Sequence, residues 1–384
     1  MTERLALVGP AHPDTGGIAH FTAGLAPVLD ATGGVTVLTW SRRYPARLYP
    51  GTLRDTVSTT AIGYARAVPI LDIMNPLTWR QAVARARRDG CSTLVLQWVH
   101  PVQGPVYRTM AIAARRAGIG VVAICHNVSP HESSLLWSRM VQLGVRSADV
   151  LVVHSGPMAA EARRLHPGAQ VVEAFMPAFT NVAAAFEAAD ADAAGAAVRE
   201  RYGIPAGDRL LLHFGFIRPY KGVEDAIRAM AHQTAGARLL VVGECWDDSD
   251  VYRRAVADAG VGDRVTLDFR YVANEEMPGL FAAADAVFLP YRSATQSAVA
   301  QLAYAFDRPV IATTVGGLPE AVEDGTSGVL APPDDPVALG AAVDRFYAAD
   351  PASWAAGVAT MRERFSWERY AVLVREASVL ARRT

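Results

Sequence analysis

Short apolar runs alternate with longer segments of helical period along most of the chain. The first half contains "LALVG", "VTVLTW", "STLVLQWV", "GVVAICHN" and "DVLVVHS", and the alternation begins again after residue 205 with "LLLHFGF", "RLLVVGE", "AVFLPY" and "PVIATT". Strands that alternate with helices indicate a parallel sheet covered by helices on both faces. The two series therefore predict an α/β chain with two doubly wound domains.

The length of 384 residues agrees with two domains, since one domain usually takes ~100 to 200 residues. We place the first domain at residues 1–180 and the second at residues 205–365. The alanine-rich run "AAAFEAADADAAGAAV" has no strand pattern, so residues 181–204 are interpreted as a linker with a helical piece. Residues 366–384 repeat apolar side chains at helical spacing and predict a closing helix.

The sequence predicts a cytoplasmic protein. No segment approaches the ~18 consecutive apolar residues of a membrane span, and "MTERLALVGP" leads directly into a strand without the features of a signal peptide. The three cysteines, Cys91, Cys125 and Cys245, are far apart in the sequence. We interpret them as reduced packing residues, because their spacing fits neither a disulfide framework nor a metal site.

Charge is distributed unevenly along the chain. Residues 1–180 carry 17 arginines against 10 acidic residues, a balance of +7, and the remainder carries 20 basic against 28 acidic residues, a balance of −8. A positive first half fits an anionic acceptor, or peripheral contact with an anionic membrane at its inner face. The alternative is a solvated face on helix-like stretches such as "WRQAVARARRDG". No nucleic acid partner is expected.

The stretch "GFIRPYKGVED" contains Lys221, the only lysine among 37 basic side chains. Lysine offers a compact point charge where arginine offers a planar fork, and phosphate groups accept both. Arg218 precedes it on the same loop, and Gly222 opens the following helix. Two cations beside a helix N-terminus predict an anion site suited to a diphosphate. Two solvated loop charges are the alternative.

Two loops of the first half could carry chemistry. In "GPAHPDTGGIAHF", Gly16 and Gly17 precede an apparent helix, where backbone amides are free to meet an anion, although a plain turn explains the pair equally well. In "CHNVSPHE", His126 follows a strand at its carboxyl end, which is the end where ligands bind in parallel sheets. His131 and Glu132 are weaker candidates, and a buried core histidine is the alternative for His126.

Further loops after strands of the second half offer backbone groups, hydroxyls and amides. In "LPYRSATQS", such groups lie between a strand and a helix, where they join helix N-terminal amides. Turns such as "VVGECW" and "DFRYV" could hold a nucleotide base through backbone groups. The candidates of these loops are Gly243, Glu244, Tyr271, Val272, Thr295, Gln296, Ser297, Gly316, Gly317 and Glu320.

The combination of "FGFIRPYKG" with "RPVIATTVGGLPEAVEDGTSGVLAPPDDPVAL" resembles the GT-B glycosyltransferases of family 4, which are retaining and use nucleotide sugars. The motifs "GGIAHF", "CHNVSPHE" and "LPYRSATQS" resemble a closer subgroup. The resemblance covers most of the chain. It implies two Rossmann-like domains that face each other across a cleft, with a C-terminal helix returning to the first domain. It also implies a donor bound mainly by the second domain and an acceptor bound mainly by the first. No metal is implied, in agreement with the missing D-x-D motif.

The resemblance also implies roles for single residues. Arg218 and Lys221 resemble the diphosphate-binding pair, His126 resembles the histidine near the transferred sugar, and Gly16 with Gly17 resembles the glycine loop at the phosphates. Ser297 lies where backbone amides meet the diphosphate in the family.

Some positions depart from the family. Its two glutamates for sugar and ribose hydroxyls are replaced by Ala294 and Leu302, which leaves Thr295, Gln296 and Gln301 as the polar candidates nearby. Phe216 replaces the usual arginine before the lysine, and Arg218 takes its place in a shifted register. Ala298 replaces the glycine of the subgroup.

These expectations describe transfer of a hexose from a nucleoside diphosphate sugar to a hydroxyl acceptor with retention, for which a lipid-linked or polysaccharide precursor is one candidate. No pair of carboxylates stands out as nucleophile and acid, which argues against double displacement. The family instead implies that the departing diphosphate assists the acceptor. An epimerase or phosphorylase of the same fold and a noncatalytic sugar-nucleotide-binding partner are the alternatives.

Overall fold

The computed structural model describes residues 3–44, 54–128, 135–186 and 190–383, so His131 and Glu132 lie outside the described residues. Two compact units divide the chain. The first comprises Met1–Thr56, Ala61–Pro177 and Ser366–Thr384, and the second comprises Val57–Thr60 and Ala178–Phe365.

The first unit is built on a seven-stranded parallel sheet with the strand order β3-β2-β1-β4-β5-β6-β7. Its strands are β1 (Arg4–Val8), β2 (Val35–Arg42), β3 (Val68–Asp72), β4 (Cys91–Trp98), β5 (Gly120–Cys125), β6 (Val150–Val153) and β7 (Gln170–Glu173). Its helices within residues 1–177 are α1 (Gly17–Ala31), α2 (Pro76–Arg88), α3 (Gly104–Arg116), α4 (Leu135–Val145) and α5 (Gly156–Leu165). All six residues of β5 are buried, as expected for a central strand covered on both faces.

The second unit is built on a six-stranded parallel sheet with the order β10-β9-β8-β11-β12-β13. Its strands are β8 (Leu210–Phe214), β9 (Arg238–Val242), β10 (Val265–Asp268), β11 (Ala286–Leu289), β12 (Val310–Thr313) and β13 (Gly328–Ala331). Its helices are α6 (Thr180–Ala184), α7 (Ala191–Arg201), α8 (Val223–Ala229), α9 (Asp250–Ala259), α10 (Met277–Ala283), α11 (Ala298–Ala305), α12 (Leu318–Ala321), α13 (Pro336–Ala348) and α14 (Pro351–Arg364).

The last helix, α15 (Trp367–Ala381), belongs to the first unit, where it packs on α1, β5 and β6. It begins at the cap Ser366, whose side chain accepts a hydrogen bond from the amide of Arg369. Its buried face includes Trp367, Tyr370 and Val374. The chain therefore returns to its first unit after the second is complete.

Residues 181–204, which we interpreted as a linker, belong to the second unit. Helix α7 packs closely on α10 because both helices carry small residues at their contact. A Cβ on Gly195 would lie 3.1 Å from the backbone of Ala282, and a Cβ on Gly279 would lie 3.0 Å from the carbonyl oxygen of Ala194. The alanine-rich composition thus reflects a tight helix pair, and the second unit begins at Ala178 and not at residue 205.

Each sheet reverses its strand order next to its first strand. In the second unit, β8 has β9 on one side and β11 on the other. Ligands of such sheets bind beyond the carboxyl ends of the strands at this reversal. The loops that follow β8 and β11 are the ones that contain Lys221 and Ser297, so the topology brings these two sequence-predicted segments to neighbouring positions.

Candidate active site

Lys221 ends a short 3₁₀ turn, Pro219–Lys221, between β8 and α8. Its side chain is half-buried, and its Nζ lies 3.8 Å from the ring centroid of Tyr291, in a cation–π contact. Burial lowers the pKa of Lys221 to about 8, although the Tyr220 phenol acts in the opposite direction. The ammonium group is therefore held in a place where water solvates it poorly.

The turn is hydrogen-bonded to the loop after β11. The amide of Arg292 donates to the carbonyl oxygen of Tyr220 at 2.8 Å, and Gly222 adopts a left-handed conformation with φ 66°. A Cβ on Gly222 would overlap the carbonyl oxygen of Pro290. Only glycine satisfies both conditions, so this residue fixes the distance between the two loops.

Arg218 lies over an aromatic face on the other side of the turn. Its guanidinium carbon lies 5.3 Å from the ring centroid of Trp246, and the ring of Phe216 lies 4.8 Å from the same indole. Among the described residues, neither Arg218 nor Lys221 forms an ion pair with a carboxylate. By contrast, Nε and Nη2 of Arg292 donate to the two carboxylate oxygens of Asp225, at 2.6 and 2.8 Å. The turn thus presents two positive charges that the described part of the chain does not neutralise.

The loop after β9 is joined to the same turn. The amide of Ile217 donates to the carbonyl oxygen of Glu244 at 2.9 Å. A Cβ on Gly243 would overlap the carbonyl oxygen of Gly215, so the two backbones touch. The Glu244 side chain is half-buried. The sequence-predicted candidates Gly243 and Glu244 therefore lie beside Arg218 and Lys221.

The N-terminus of α11 supplies the third segment. Ser297 is buried and caps the helix, since its side chain accepts from the amide of Ala300 at 3.3 Å, and its hydroxyl also donates to the Tyr291 phenol at 3.3 Å. Thr295 and Gln296 are half-buried just before the cap. Tyr291 therefore connects the helix cap to the lysine.

The loop after β12 contacts the loop after β11 through backbone atoms. A Cβ on Gly316, at φ 52°, would overlap the carbonyl oxygen of Ala294, and Gly317 begins α12. Glu320 is exposed on that helix. Tyr271 and Val272 are half-buried beyond β10.

The two positions that depart from the family differ in environment. Ala294 is half-buried, whereas the Leu302 side chain packs inside the second unit with 7% exposure. Gln301 is buried next to Leu302, and its Oε1 has no hydrogen-bond partner within the described part of the chain. A buried amide oxygen without a partner can accept a hydrogen bond from a ligand. Gln301 therefore remains a candidate to bind a ligand hydroxyl.

In the first unit, Gly16 has φ 97° and caps α1, and Gly17 is the exposed first residue of that helix. His126 follows β5 directly and is 6% exposed. Its ring lies edge-on to Phe21 at 4.7 Å, and Phe21 also packs against Trp367 and Tyr370 of the last helix. Burial, together with His154, lowers the pKa of His126 well below 6.5, so the imidazole is neutral.

Sequence reasoning missed Tyr291, Trp246 and His213. Tyr291 and Trp246 place an aromatic face against Lys221 and Arg218, respectively. His213 is fully buried on β8, and its Nδ1 donates to the carbonyl oxygen of Phe288 at 3.0 Å. Burial and the charge of Lys221 lower the pKa of His213 to about 4. For Tyr291, the available sequence signal is an aromatic residue two positions after a strand, in "LPY".

Within the four described ranges, no three His, Cys, Asp or Glu side chains are grouped as metal ligands would be. In the same ranges no helix has both the length and the apolar composition needed to cross a membrane.

The chain is similar to known glycosyltransferases. A family model described as "Glycosyl transferases group 1" matches residues 208–349. The D-inositol 3-phosphate glycosyltransferase of Xylanimonas cellulosilytica is 34% identical over 180 residues, which cover 46% of this chain and 43% of that protein. The chain therefore spans less than half the length of the curated relatives that it matches at this level of identity.

Two solved structures match nearly the whole chain. Sucrose-phosphate synthase from Thermosynechococcus elongatus has a TM-score of 0.69 and 23% identity, over 97% of this chain and 98% of that one. HepE from Anabaena, in complex with UDP, has a TM-score of 0.70 and 19% identity, over 98% of this chain and 99% of that one. Residues 208–349 thus match the model of the glycosyl transferases group 1 family, in a chain that has the GT-B fold.

Proposed function

We propose that the chain is a retaining glycosyltransferase that moves a hexose from a nucleoside diphosphate sugar to a hydroxyl acceptor. The observation that carries the proposal is the pair Arg218 and Lys221, for which the described residues offer no carboxylate partner. A diphosphate supplies the missing negative charge. The similarity to HepE, whose structure contains UDP, supports a nucleoside diphosphate as the leaving group.

The chemistry follows from the charge that develops when the sugar–phosphate bond breaks. The departing diphosphate gains negative charge, and preorganised cations stabilise that charge without moving. Arg218 and Lys221 are the proposed catalytic cations, and the amides at the cap Ser297 add donors. Helix α8 has only 7 residues, so the cations and not its dipole are the main source of stabilisation.

We propose further donor contacts from the other residues that the sequence motifs single out. Gly243, Glu244, Tyr271 and Val272 would hold the nucleoside, and His126 would bind the transferred sugar. Gly16, Gly17, Thr295, Gln296, Gln301, Gly316, Gly317 and Glu320 would complete the donor site. No metal is part of this proposal, and a cytoplasmic location remains a prediction.

The test is a transfer assay with UDP-glucose, GDP-mannose and ADP-glucose, each with and without an acceptor extract. Release of the nucleoside diphosphate that requires the extract is expected. Conversion of the donor without acceptor would favour an epimerase, and formation of a sugar phosphate that depends on added inorganic phosphate would favour a phosphorylase. Binding of a donor that no extract turns over would favour a noncatalytic partner and contradict the proposal.

The affinity for UDP is expected to fall about tenfold between pH 7 and pH 9, because a lysine with a pKa near 8 loses most of its charge over that range. The diphosphate of UDP is already ionised at pH 7, and burial keeps Tyr291 protonated and His213 neutral throughout. Isothermal titration calorimetry at pH 7, 8 and 9 measures the change. Lys221→Arg is the matched control, since guanidinium stays charged. A constant affinity of the wild type would contradict the assignment.

We also propose that helix α2 contacts an anionic membrane surface. Met74 and Leu77, at its start, are 60% and 65% exposed, and Arg80, Arg87 and Arg88 are exposed along the helix. In the described part of the chain these three arginines form no ion pair. Apolar side chains next to unpaired cations fit the surface of an acidic bilayer.

Replacing Arg80, Arg87 and Arg88 together by glutamine is expected to weaken binding to phosphatidylserine vesicles by roughly 10², at about 1 kcal/mol for each arginine. Cosedimentation with vesicles of increasing phosphatidylserine content measures the effect. The control replaces Arg253 and Arg254, which lie near Asp250 and Asp248 in the second unit. Equal binding of the triple variant and the wild type would exclude this surface.

A further inference from the structure

A buried glutamine contacts His126 inside the first unit. Gln97 lies near the end of β4 with no solvent exposure, and its amide has a partner at each end. Its Oε1 lies 3.0 Å from Nε2 of His126, and its Nε2 donates to Oγ1 of Thr22 at 2.7 Å. A buried amide is costly unless both ends are satisfied, and here both are.

The direction of each hydrogen bond in this chain follows from its last member. Thr22 lies in α1 with no exposure, and its hydroxyl donates to the carbonyl oxygen of Pro10. A carbonyl oxygen can only accept, so the Thr22 proton is used there and its oxygen must accept from Gln97. Gln97 therefore presents its NH₂ group to Thr22 and its oxygen to His126. An oxygen at this position requires a proton on Nε2 of the imidazole.

The backbone makes room for the glutamine. A Cβ on Gly9, directly after β1, would overlap the side-chain amide of Gln97. The Tyr107 hydroxyl donates to the backbone carbonyl oxygen of Gln97 at 2.8 Å and holds the strand at this residue. The side chain of Gln97 thus occupies space that only a glycine at position 9 leaves open.

We propose that Gln97 and Thr22 are positioning residues that hold His126 in the Nε2–H tautomer, with Nδ1 available to accept a hydrogen bond from a sugar hydroxyl. Among the described residues, Nδ1 has no hydrogen-bond partner, and the side chain keeps 6% of its surface exposed. Burial favours the neutral ring, which has one protonated nitrogen and one lone pair. The part of the proposal that concerns the sugar rests on the proposed function, whereas the tautomer does not.

The first experiment measures the tautomer in the full chain without any nucleotide. Nitrogen-15 NMR of histidine-labelled protein distinguishes protonated from unprotonated ring nitrogens, and His126→Gln assigns the signals. The wild type is expected to have a protonated Nε2 and an unprotonated Nδ1 at pH 7. Thr22→Val, which frees the glutamine to turn over, is expected to gain a population with a protonated Nδ1, and Thr22→Ser is expected to restore the wild-type pattern.

Thr93→Val is the matched control, since Thr93 is a buried threonine of the same strand as Gln97, and its hydroxyl has no partner within the described ranges. Its spectrum should equal that of the wild type. A protonated Nδ1 in the wild type, or an unchanged pattern in Thr22→Val, would overturn the tautomer assignment whatever the enzyme does.

The second experiment measures transfer from UDP-glucose. Thr22→Val is expected to lower kcat/KM about tenfold, the value of one hydrogen bond, and Thr22→Ser is expected to recover it. An altered tautomer with unchanged kcat/KM would overturn the role of Gln97 and Thr22 in the reaction. Absence of any transfer by the wild type would contradict the proposed function and the sugar contact, while the NMR result would still decide the tautomer.

Discussion

Replacing Lys221 by alanine is expected to lower the turnover of sugar transfer by roughly 10² or more, as does the loss of other preorganised groups that stabilise developing charge. The lysine has no carboxylate partner among the described residues, and its Nζ is held over the ring of Tyr291. Its charge is therefore available to a ligand. Initial rates at saturating donor measure the effect.

Two further variants separate charge from folding. Lys221→Met keeps an apolar stem over Tyr291 without the charge, and it is expected to lose as much turnover as the alanine variant. Arg228→Ala removes an exposed cation of the neighbouring helix that is already paired with Glu224 at 3.3 Å, so its turnover should remain normal. A folded Lys221→Met protein with normal turnover would remove Lys221 from the mechanism.

Replacing Gly222 by alanine is expected to destabilise the second unit by about 3 kcal/mol and to abolish measurable UDP binding. Alanine is strained by about 1 kcal/mol at φ 66°, and the overlap of its Cβ with the Pro290 carbonyl oxygen forces the two loops apart. Since Lys221 is the preceding residue, it moves with the turn. Urea denaturation gives the free energy of unfolding, and calorimetry gives the UDP affinity.

Gly260 provides the matched control. It ends α9 at φ 65°, but a Cβ there would meet no atom within 4 Å. Gly260→Ala is therefore expected to cost about 1 kcal/mol through conformation alone and to bind UDP normally. Equal losses for the two variants would mean that the contact with Pro290 does not hold the turn in place.

The two sheets were predictable because each strand can be recognised from its own residues. Runs such as "GVVAIC" and "LLLHF" are buried on both faces and need no knowledge of their neighbours to be read as central strands. The position of Lys221 on the loop after such a strand was predictable for the same reason. The GT-B fold expected from the motifs agrees with the fold of the solved neighbours.

The roles that the sequence did not reveal depend on contacts between residues that are far apart in the chain. Tyr291 meets a lysine 70 positions earlier, and Gln97 meets Thr22 over 75 positions, so neither role leaves a local pattern. The α7 segment resembles a linker because it is rich in alanine and has no strand pattern, although alanine and glycine also suit a close helix contact. Only the partner helix α10 distinguishes the two cases.

The return of α15 to the first unit imposes an order on folding during synthesis. Trp367 and Tyr370 complete the aromatic packing around Phe21, and Phe21 contacts His126. A ribosome adds ~5 to 20 residues each second, so the second unit takes roughly 10 to 40 s to emerge before these side chains exist. During that interval the nascent first unit exposes the apolar groove that α15 later fills. The pocket of His126 is thus among the last parts of the protein to form, although its histidine is made in the first third of the chain.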